Sequence, residues 1–431
     1  MRLRISIFLI TLVVVVGAGY FFSLIARGYR FDSKTFSLKP RGLFVITSSP
    51  NGAQVLINGK LESATNATIS LPPDNYNIEL KKEGFLTWKK SITIKKEEVT
   101  KIEVQLFPGA PSLSALTFTG AINPILASDK TKVAYGIPTS EKADTEKVGI
   151  WIMDLADLPI GFSRDPRQIT DLDPTNLSWT WSPDSREILV VTPEKTYYLL
   201  ETGSKNLKSQ LLPLTEAKLA QTIEEWREEA GQEYTNSLKD LPDKLKEALK
   251  ETKITLSPDK NKILYTAEFD LTLPDNIVSP LPGSSTQKEE RTVKTGNTYI
   301  YDLKEDKNFL VYDKTITLPK DLLEEASSSA KTTPQSKTQT KKPTPAPREA
   351  ASDVGQPTSI SWFPTSTNIV IAEENKITIK EYDGTNSQTV YAGPYIAPHA
   401  IPFPNSSRLL ILTNLGAGEK AVGNLYGVSL R

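Results

Sequence analysis

The sequence contains no cysteine and only one histidine, His399. Without cysteine the chain has no disulfide, no thiolate nucleophile and no cysteine-ligated metal. One histidine excludes a zinc site built from several histidines and leaves one candidate for histidine-based acid–base catalysis. Lysine plus arginine and aspartate plus glutamate both number 51, so the formal net charge is zero. The chain therefore lacks the excess of positive charge that would favour a nucleic-acid partner.

Common catalytic motifs are also missing. Neither Gly-x-Ser-x-Gly nor a phosphate-binding Gly-rich loop followed by Lys and Ser or Thr occurs in the chain. His399 lies between prolines in YIAPHAIPFP, where a loop or strand-edge role is favoured over that of a catalytic base. The sequence therefore predicts no catalytic, cofactor-binding or metal-binding residue, and the protein is not predicted to be an enzyme.

A long apolar run stands at the N-terminus: ISIFLITLVVVVGAGYFFSLI, residues 5–25, carries no charge. About 20 apolar helical residues cross the hydrocarbon core of a bilayer, so residues 1–30 are predicted to be a short cytoplasmic tail and a transmembrane signal anchor. A cleaved signal peptide is the alternative, but no A-x-A-like site follows Gly19. The basic residues after the run favour the opposite orientation by the positive-inside rule. The short tail before a large folded region favours the N-terminus inside and the bulk of the chain extracytoplasmic.

Residues 40–108 alternate short strands with turns. Asn58-Gly59 supplies the positive φ of a tight hairpin turn, and NYNIELKKEGFLTWKKSITI alternates apolar and polar residues. The sequence predicts a small sandwich of antiparallel strands, in which AQVLING pairs with the strand before it. Gly84, Phe85 and Trp88 are interpreted as turn and core residues rather than as a ligand site.

Two segments of this region, GLFVITSSPNGAQVLINGK and DNYNIELKKEGFLTW, resemble a PEGA domain. The turn that names the family is Pro50-Asn51-Gly52-Ala53 here, and the family's later Gly-Tyr pair is Gly84-Phe85. The resemblance implies an extracytoplasmic module beside a membrane anchor. It implies a stalk or a contact to the cell wall rather than an enzyme.

A pattern of apolar strand, polar turn and apolar strand recurs through residues 110–431. Its five copies occupy residues 123–136, 178–191, 253–267, 359–372 and 400–413. The clearest copy is SWTWSPDSREILVV, in which proline fixes φ at the start of a turn and aspartate bonds to backbone amides within it. A sheet of three or four strands can bury both of its faces only when it stacks between neighbouring sheets. When the sheets are arranged in a ring, the edges of each sheet are also protected. The sequence predicts a β-propeller of five blades, or of six with a further blade at 105–120 or 306–320.

The best copies of the repeat are Trp181-Ser182-Pro183-Asp184 and Leu256-Ser257-Pro258-Asp259. They are similar to the repeats of TolB-type, WD-like propellers. The glycine that follows the aspartate in those repeats is replaced by Ser185 and Lys260. The resemblance implies the propeller fold for residues 110–431.

Two segments interrupt the spacing of the repeats. Residues 214–251 place Leu219, Ile223 and Trp226 at helical spacing, which predicts a helical insertion between the second and third blades. Residues 326–357 are rich in Ser, Thr, Pro and Lys and have almost no large apolar side chain. They are predicted to be a disordered loop, because they have too little apolar surface to offset the entropy of ordering.

Aspartates and tryptophans recur at equivalent positions in the repeats. Three aspartates stand near strand ends and three stand in turns: Asp154, Asp302 and Asp383, and Asp129, Asp184 and Asp259. Because different blades hold them, they are interpreted as structural residues rather than as a catalytic acid pair. Trp181 and Trp362 are predicted to pack between neighbouring blades; the alternatives are a ligand platform on the propeller face and a position at its rim.

The predicted protein is mainly β: a transmembrane helix, a small PEGA-like sandwich and a propeller with a helical insertion. The favoured function is a membrane-anchored extracytoplasmic binding or scaffold protein at the cell surface. Its predicted partners are the lipid bilayer, through residues 5–25, and an envelope protein, peptide or glycan. The alternative is a propeller-based glycan hydrolase or lyase, which convergent carboxylates would favour.

Overall fold

The computed structural model describes residues 2–32, 36–139, 145–156, 165–279, 281, 285–314, 359–415 and 422–431. It begins with helix α1, Arg2–Ala26. The part Ile5–Ala26 is long and apolar enough to cross a membrane, and no described part of the protein covers it. Its length and composition fit a membrane anchor, and they also fit a signal sequence near the N-terminus.

A two-stranded hairpin and a seven-stranded unit follow the helix. The hairpin consists of β1 (Arg30–Asp32) and β2 (Ser37–Lys39). The strands of the unit are β3 (Gly42–Ser49), β4 (Gln54–Ile57), β5 (Lys60–Ala64), β6 (Ala67–Leu71), β7 (Asp74–Lys81), β8 (Trp88–Ile94) and β9 (Val99–Gln105). They form two sheets, of order β6-β3-β9 and β5-β4-β7-β8, over a shared apolar core that includes Phe44, Ile78 and Trp88.

Two expectations about strand pairing in this unit are wrong. β4 pairs with β5 and β7 instead of with the preceding β3, and β3 pairs in parallel with β9. Alternation along a strand shows which side chains are buried, but it does not show which strand lies alongside. The hairpin turn at Asn58-Gly59 has the predicted positive φ angles, 50° and 81°.

The propeller consists of five antiparallel sheets. A short strand, β10 (Leu113–Ala115), precedes the first of them. Blade 1 contains β11 (Ile122–Leu126), β12 (Lys132–Ile137), β13 (Gly149–Asp154) and β14 (Arg167–Thr170). Blade 2 contains β15 (Ser178–Trp181), β16 (Glu187–Val191) and β17 (Tyr197–Glu201).

Two helices, α2 (Glu216–Leu238) and α3 (Asp243–Ala248), separate blade 2 from blade 3. Blade 3 begins with β18 (Ile254–Leu256) and β19 (Lys262–Thr266). A separate short pair, β20 (Leu271–Thr272) and β21 (Thr292–Val293), follows. The blade is completed by β22 (Thr298–Asp302) and β23 (Lys307–Tyr312). Blade 4 contains β24 (Ser359–Trp362), β25 (Asn368–Glu373), β26 (Lys376–Glu381) and β27 (Gln388–Ala392). Blade 5 contains β28 (Ala400–Pro402), β29 (Arg408–Thr413) and β30 (Asn424–Ser429).

The first strand of the propeller completes its last blade. β10 pairs with β30 as the outer strand of blade 5, which joins the two ends of the propeller sequence. The two places considered for a sixth blade hold outer strands instead: β10 at the first and β23, the outer strand of blade 3, at the second. A sixth blade at either place is therefore wrong for the described residues. The sequence pattern did not identify these segments as outer strands, because an outer strand has the same apolar pattern as any other strand until its pairing partner is known.

Apolar clusters join neighbouring blades around the ring. They connect blades 1 and 2, 3 and 4, 4 and 5, and 5 and 1. At the remaining seam α3 packs on blade 3 through Leu245. Helix α2 also contacts blade 3, because the Tyr234 hydroxyl accepts from the backbone N of Ile254 at 3.5 Å. Both helices lie within the predicted insertion, whereas the predicted disordered loop 326–357 lies outside the described residues.

The turns between the first and second strands of the blades lie at one end of the propeller, which we call the turn face; the opposite end is the loop face. The turn aspartates accept from backbone amides two residues further on, as predicted: Asp129 from Thr131, Asp184 from Arg186 and Asp259 from Asn261. Ser185 and Lys260, which replace the glycine of the TolB-type repeat, have φ angles of 61° and 58°. The backbone thus keeps the left-handed conformation that glycine adopts most easily.

Candidate functional site

The turn face of blades 3 and 4 is in contact with the seven-stranded unit along β8. The Lys89 backbone N donates to Asn386 Oδ1 at 3.1 Å, and the Thr93 backbone N donates to Thr286 Oγ1 at 3.1 Å. The ring of Phe107, just after β9, packs edge-on against Phe363 of blade 4, with centroids 5.8 Å apart. The two parts of the chain therefore meet through both polar and apolar contacts.

A buried ion cluster lies at the centre of this contact. Lys90 Nζ is 2.7 Å from Glu381 Oε2 and also contacts the Asp383 carboxylate, while the Trp88 indole N–H donates to Glu381. Only 8% of the Lys90 side chain is exposed. Burial by itself would lower the pKa of Lys90, but Glu381 and Asp383 outweigh burial and raise it. Lys90 is therefore a charged residue that holds two carboxylates of blade 4 against β8.

A cleft of about 430 Å³ lies beside this cluster, between the seven-stranded unit and blades 3 and 4. We call it the interdomain cleft. On its propeller side, Lys262 Nζ is 3.6 Å from Asp302 Oδ2 and 4.7 Å from the centre of the Tyr382 ring. Thr286 and Lys101 also line it, the latter from the seven-stranded unit. The cleft is thus polar, with a paired cation on each side.

Glu305 differs from the other carboxylates of the cleft. Its Oε1 accepts from the backbone N of Ser285 at 3.0 Å, but its Oε2 is buried with no hydrogen-bond partner among the described residues. Burial first, and then the nearby Asp302 carboxylate, raise the pKa of Glu305. Glu305 therefore keeps its proton to a higher pH than an exposed glutamate does.

Comparison with known proteins assigns the seven-stranded unit to a family. Residues 41–109 match the model of the PEGA domain family. This part of the chain is a PEGA domain. No curated protein matches the sequence.

Two similar solved structures are TolB from Acinetobacter baumannii and the AfRom2 CNH domain. The TolB match has 11% identity and a TM-score of 0.22, and it covers 83% of this chain and 61% of the TolB chain. The match to the AfRom2 CNH domain has 11% identity and a TM-score of 0.26, and it covers 75% of this chain and 98% of that one. The assignment of blades rests on the strand pairing, and the chain spans less than two thirds of the TolB chain.

The PEGA domain accounts for the aromatic residues that the sequence placed in its core. Trp88 is 1% exposed within the apolar cluster of the domain, and Gly84 occupies a turn with a φ of 79°. The interpretation of Gly84, Phe85 and Trp88 as turn and core residues is confirmed. The sequence interpretation missed that the Trp88 indole also reaches Glu381 of the propeller.

The structure brings three of the recurrent aspartates to the PEGA domain, the first of which is Asp259, in the lining of the interdomain cleft. Asp302 ends β22 and Asp383 follows β26, and both lie at the interdomain cleft or beside it. Asp154 instead pairs with Arg167 on blade 1 at 3.1 Å. His399 is far from these acids, because it lies in the connection between blades 4 and 5 at the loop face, where burial lowers its pKa. A signal for the contact was present in β8, where Lys90 occupies the same alternating face as the buried Trp88, Ile92 and Ile94.

The carboxylates in and beside the interdomain cleft are largely occupied by ion pairs. Asp302 is paired with Lys262, and Glu381 and Asp383 are paired with Lys90. The pKa of Glu305 is raised, as a general acid requires, but a glycosidase also requires a second, available carboxylate as base or nucleophile.

Glu305→Gln is expected to make the stability of the protein less dependent on pH. Because the pKa of Glu305 is raised in the folded protein, wild-type stability falls as pH rises from about 4, near the ordinary glutamate value, through the folded pKa. The glutamine variant lacks this titration, so its advantage in urea midpoint over wild type should grow between about pH 4 and pH 8. Glu268→Gln, at an exposed position, is the matched control. A difference between wild type and Glu305→Gln that is constant with pH would contradict the assignment.

Proposed function

We propose that this protein is a membrane-anchored extracytoplasmic binding protein, in which the propeller is the interaction platform. Helix α1 is the single-pass anchor, with the N-terminus inside, and the PEGA domain is the stalk. The observation that carries the proposal is the placement of the PEGA domain: it occupies the turn face of blades 3 and 4 through the Lys90 cluster. The loop face is thereby the end of the propeller that remains available to a partner.

Exposed apolar side chains on the loop face support this choice. Phe118, in the connection from β10 to β11, is 83% exposed. Val422, just before β30, lies close to the same connection, since its Cγ1 would be only 3.0 Å from a Cβ atom added to Gly120. Exposed apolar groups that gather at one end of a fold are typical of interaction surfaces. An envelope protein, peptide or glycan is the proposed class of partner.

The alternative function, glycan hydrolysis or cleavage at an acidic site, is disfavoured by the ion pairing in the interdomain cleft. Asp302 and Asp383 do approach the same cleft, as the alternative requires. Each is paired with a lysine, however, whereas the buried Oε2 of Glu305 has neither a lysine nor a hydrogen-bond partner among the described residues. We therefore propose a non-enzymatic role.

Three measurements test the proposal. The full chain is expected to stay in the membrane fraction after alkaline extraction, and external protease is expected to degrade the propeller in spheroplasts. A photoreactive residue replacing Phe118 should form a discrete adduct with an envelope component. The same residue replacing Arg186, exposed on the turn face of blade 2, should not. Alkaline release would overturn the anchor, and the absence of an adduct from the Phe118 position would overturn the platform.

A further inference from the structure

The hairpin that directly follows α1 exposes two aromatic rings. β1 and β2 pair in register from Arg30 with Lys39 to Asp32 with Ser37. Phe31 is 60% exposed and Phe36 is 83% exposed, and their rings touch edge-on with centroids 6.0 Å apart. Neither ring belongs to an apolar cluster of the described protein. Two phenylalanines in contact with each other but not with a core form an apolar surface without a protein partner.

Positive charge surrounds these rings. Between residues 27 and 41 the sequence has five basic residues and one acidic residue, Asp32. Arg27 and Arg30 are exposed, and neither they nor Arg41 form an ion pair with a described side chain. The segment therefore combines exposed aromatic surface with unneutralised guanidinium groups.

The position of the hairpin relative to the anchor is fixed. Arg27 is the first residue after α1, so the hairpin starts where the apolar helix ends. The Tyr29 hydroxyl donates to Glu97 Oε1 at 2.9 Å, and the Glu97 backbone N donates to the Arg41 carbonyl at 3.0 Å. These bonds hold the hairpin between the helix end and the turn from β8 to β9 of the PEGA domain.

We propose that this juxtamembrane hairpin lies in the headgroup layer and binds anionic phospholipids. The proposal rests on the proposed membrane anchor, because the anchor places the hairpin at that depth. Aromatic side chains are favoured at the boundary between headgroups and acyl chains. Guanidinium groups form bidentate hydrogen bonds with phosphate oxygens, and each basic residue near an anionic surface strengthens binding about fivefold. Phe31 and Phe36 supply the apolar contact, and Arg27, Arg30 and Arg41 supply the cations.

The test uses the full chain, purified in mild detergent and titrated with phosphatidylglycerol or phosphatidylcholine while bound lipids are counted by native mass spectrometry. Wild type should retain phosphatidylglycerol in clear preference to phosphatidylcholine. A variant with Arg27→Gln, Arg30→Gln and Arg41→Gln should bind phosphatidylglycerol on the order of 100-fold more weakly, since it loses three such contributions. The matched control carries Lys205→Gln, Lys244→Gln and Lys250→Gln, three exposed lysines of the propeller half, and should bind as wild type does.

The outcomes separate this inference from the proposed function. Equal retention of the two lipids by wild type, or unchanged retention by the arginine variant, would overturn lipid recognition. Displacement of phosphatidylglycerol by millimolar inorganic phosphate would show a site for free anions and would overturn it as well. Failure of the proposed membrane anchor is detected in a different experiment, the alkaline extraction, as release of the wild-type chain from membranes.

Discussion

Lys90→Met is expected to lower the free energy of unfolding by about 3–5 kcal/mol, because it leaves two buried carboxylates without their cation. In wild type the Lys90 ammonium is shared between Glu381 and Asp383, and the Asp383 side chain is completely buried. Urea unfolding of the full chain in mild detergent measures the change. Hydrogen exchange should also rise in β8 and in residues 382–387, since the ion cluster holds these two segments together.

Lys89→Met is the matched control for this change. Its side chain is 63% exposed and pairs only with Glu79 of the same domain, so its loss should alter stability by less than about 1 kcal/mol. Replacing Lys90, Glu381 and Asp383 together with Met, Gln and Asn should recover much of the loss, because no charge is then buried. If Lys90→Met unfolds within about 1 kcal/mol of wild type, the cluster does not hold the PEGA domain to the propeller.

Trp181→Ala is expected to destabilise the propeller by about 3–5 kcal/mol, because it leaves a large cavity between two blades. Trp181 is 7% exposed and belongs to the apolar cluster that joins blades 1 and 2. Its indole N–H donates to the carbonyl of Ile125 at 3.0 Å, on the inner strand of blade 1. Trp362 repeats this bond between blades 4 and 3, with the carbonyl of Thr255 at 3.1 Å. The prediction that both tryptophans pack between blades is therefore confirmed.

Two further variants separate the parts of this effect. Trp181→Phe keeps most of the apolar contact but leaves the Ile125 carbonyl without its donor, and should cost less than the alanine variant. Phe118→Ala removes an aromatic ring that is 83% exposed, and should stay within about 0.5 kcal/mol of wild type. Urea unfolding and limited proteolysis of the full chain report all three. An unchanged midpoint for Trp181→Ala would contradict its role between the blades.

The interdomain cleft is a candidate site that the sequence did not predict. Its residues come from β8, from turns of blades 3 and 4 and from the segment that contains Thr286. No local pattern connects these stretches. Lys90 on the buried face of β8 was a visible irregularity, but its partners, Glu381 and Asp383, stand almost three hundred residues further along the chain. A long-range ion pair follows from docking geometry, which alternation within one strand does not encode.

The sequence alone determined the features that depend on local physics. The uncharged apolar run predicted α1, Asn58-Gly59 predicted a left-handed hairpin turn, and the Ser-Pro-Asp copies predicted recurrent strand–turn–strand units. These three features follow from the burial of apolar side chains and from the backbone conformation of a few neighbouring residues. The tertiary structure alone decided which strands pair across the chain. It placed β10 in blade 5, paired β3 with β9 in parallel, and brought Lys90 to Asp383. Such contacts depend on how preformed elements pack against one another, and many sequences with the same local pattern would pack differently.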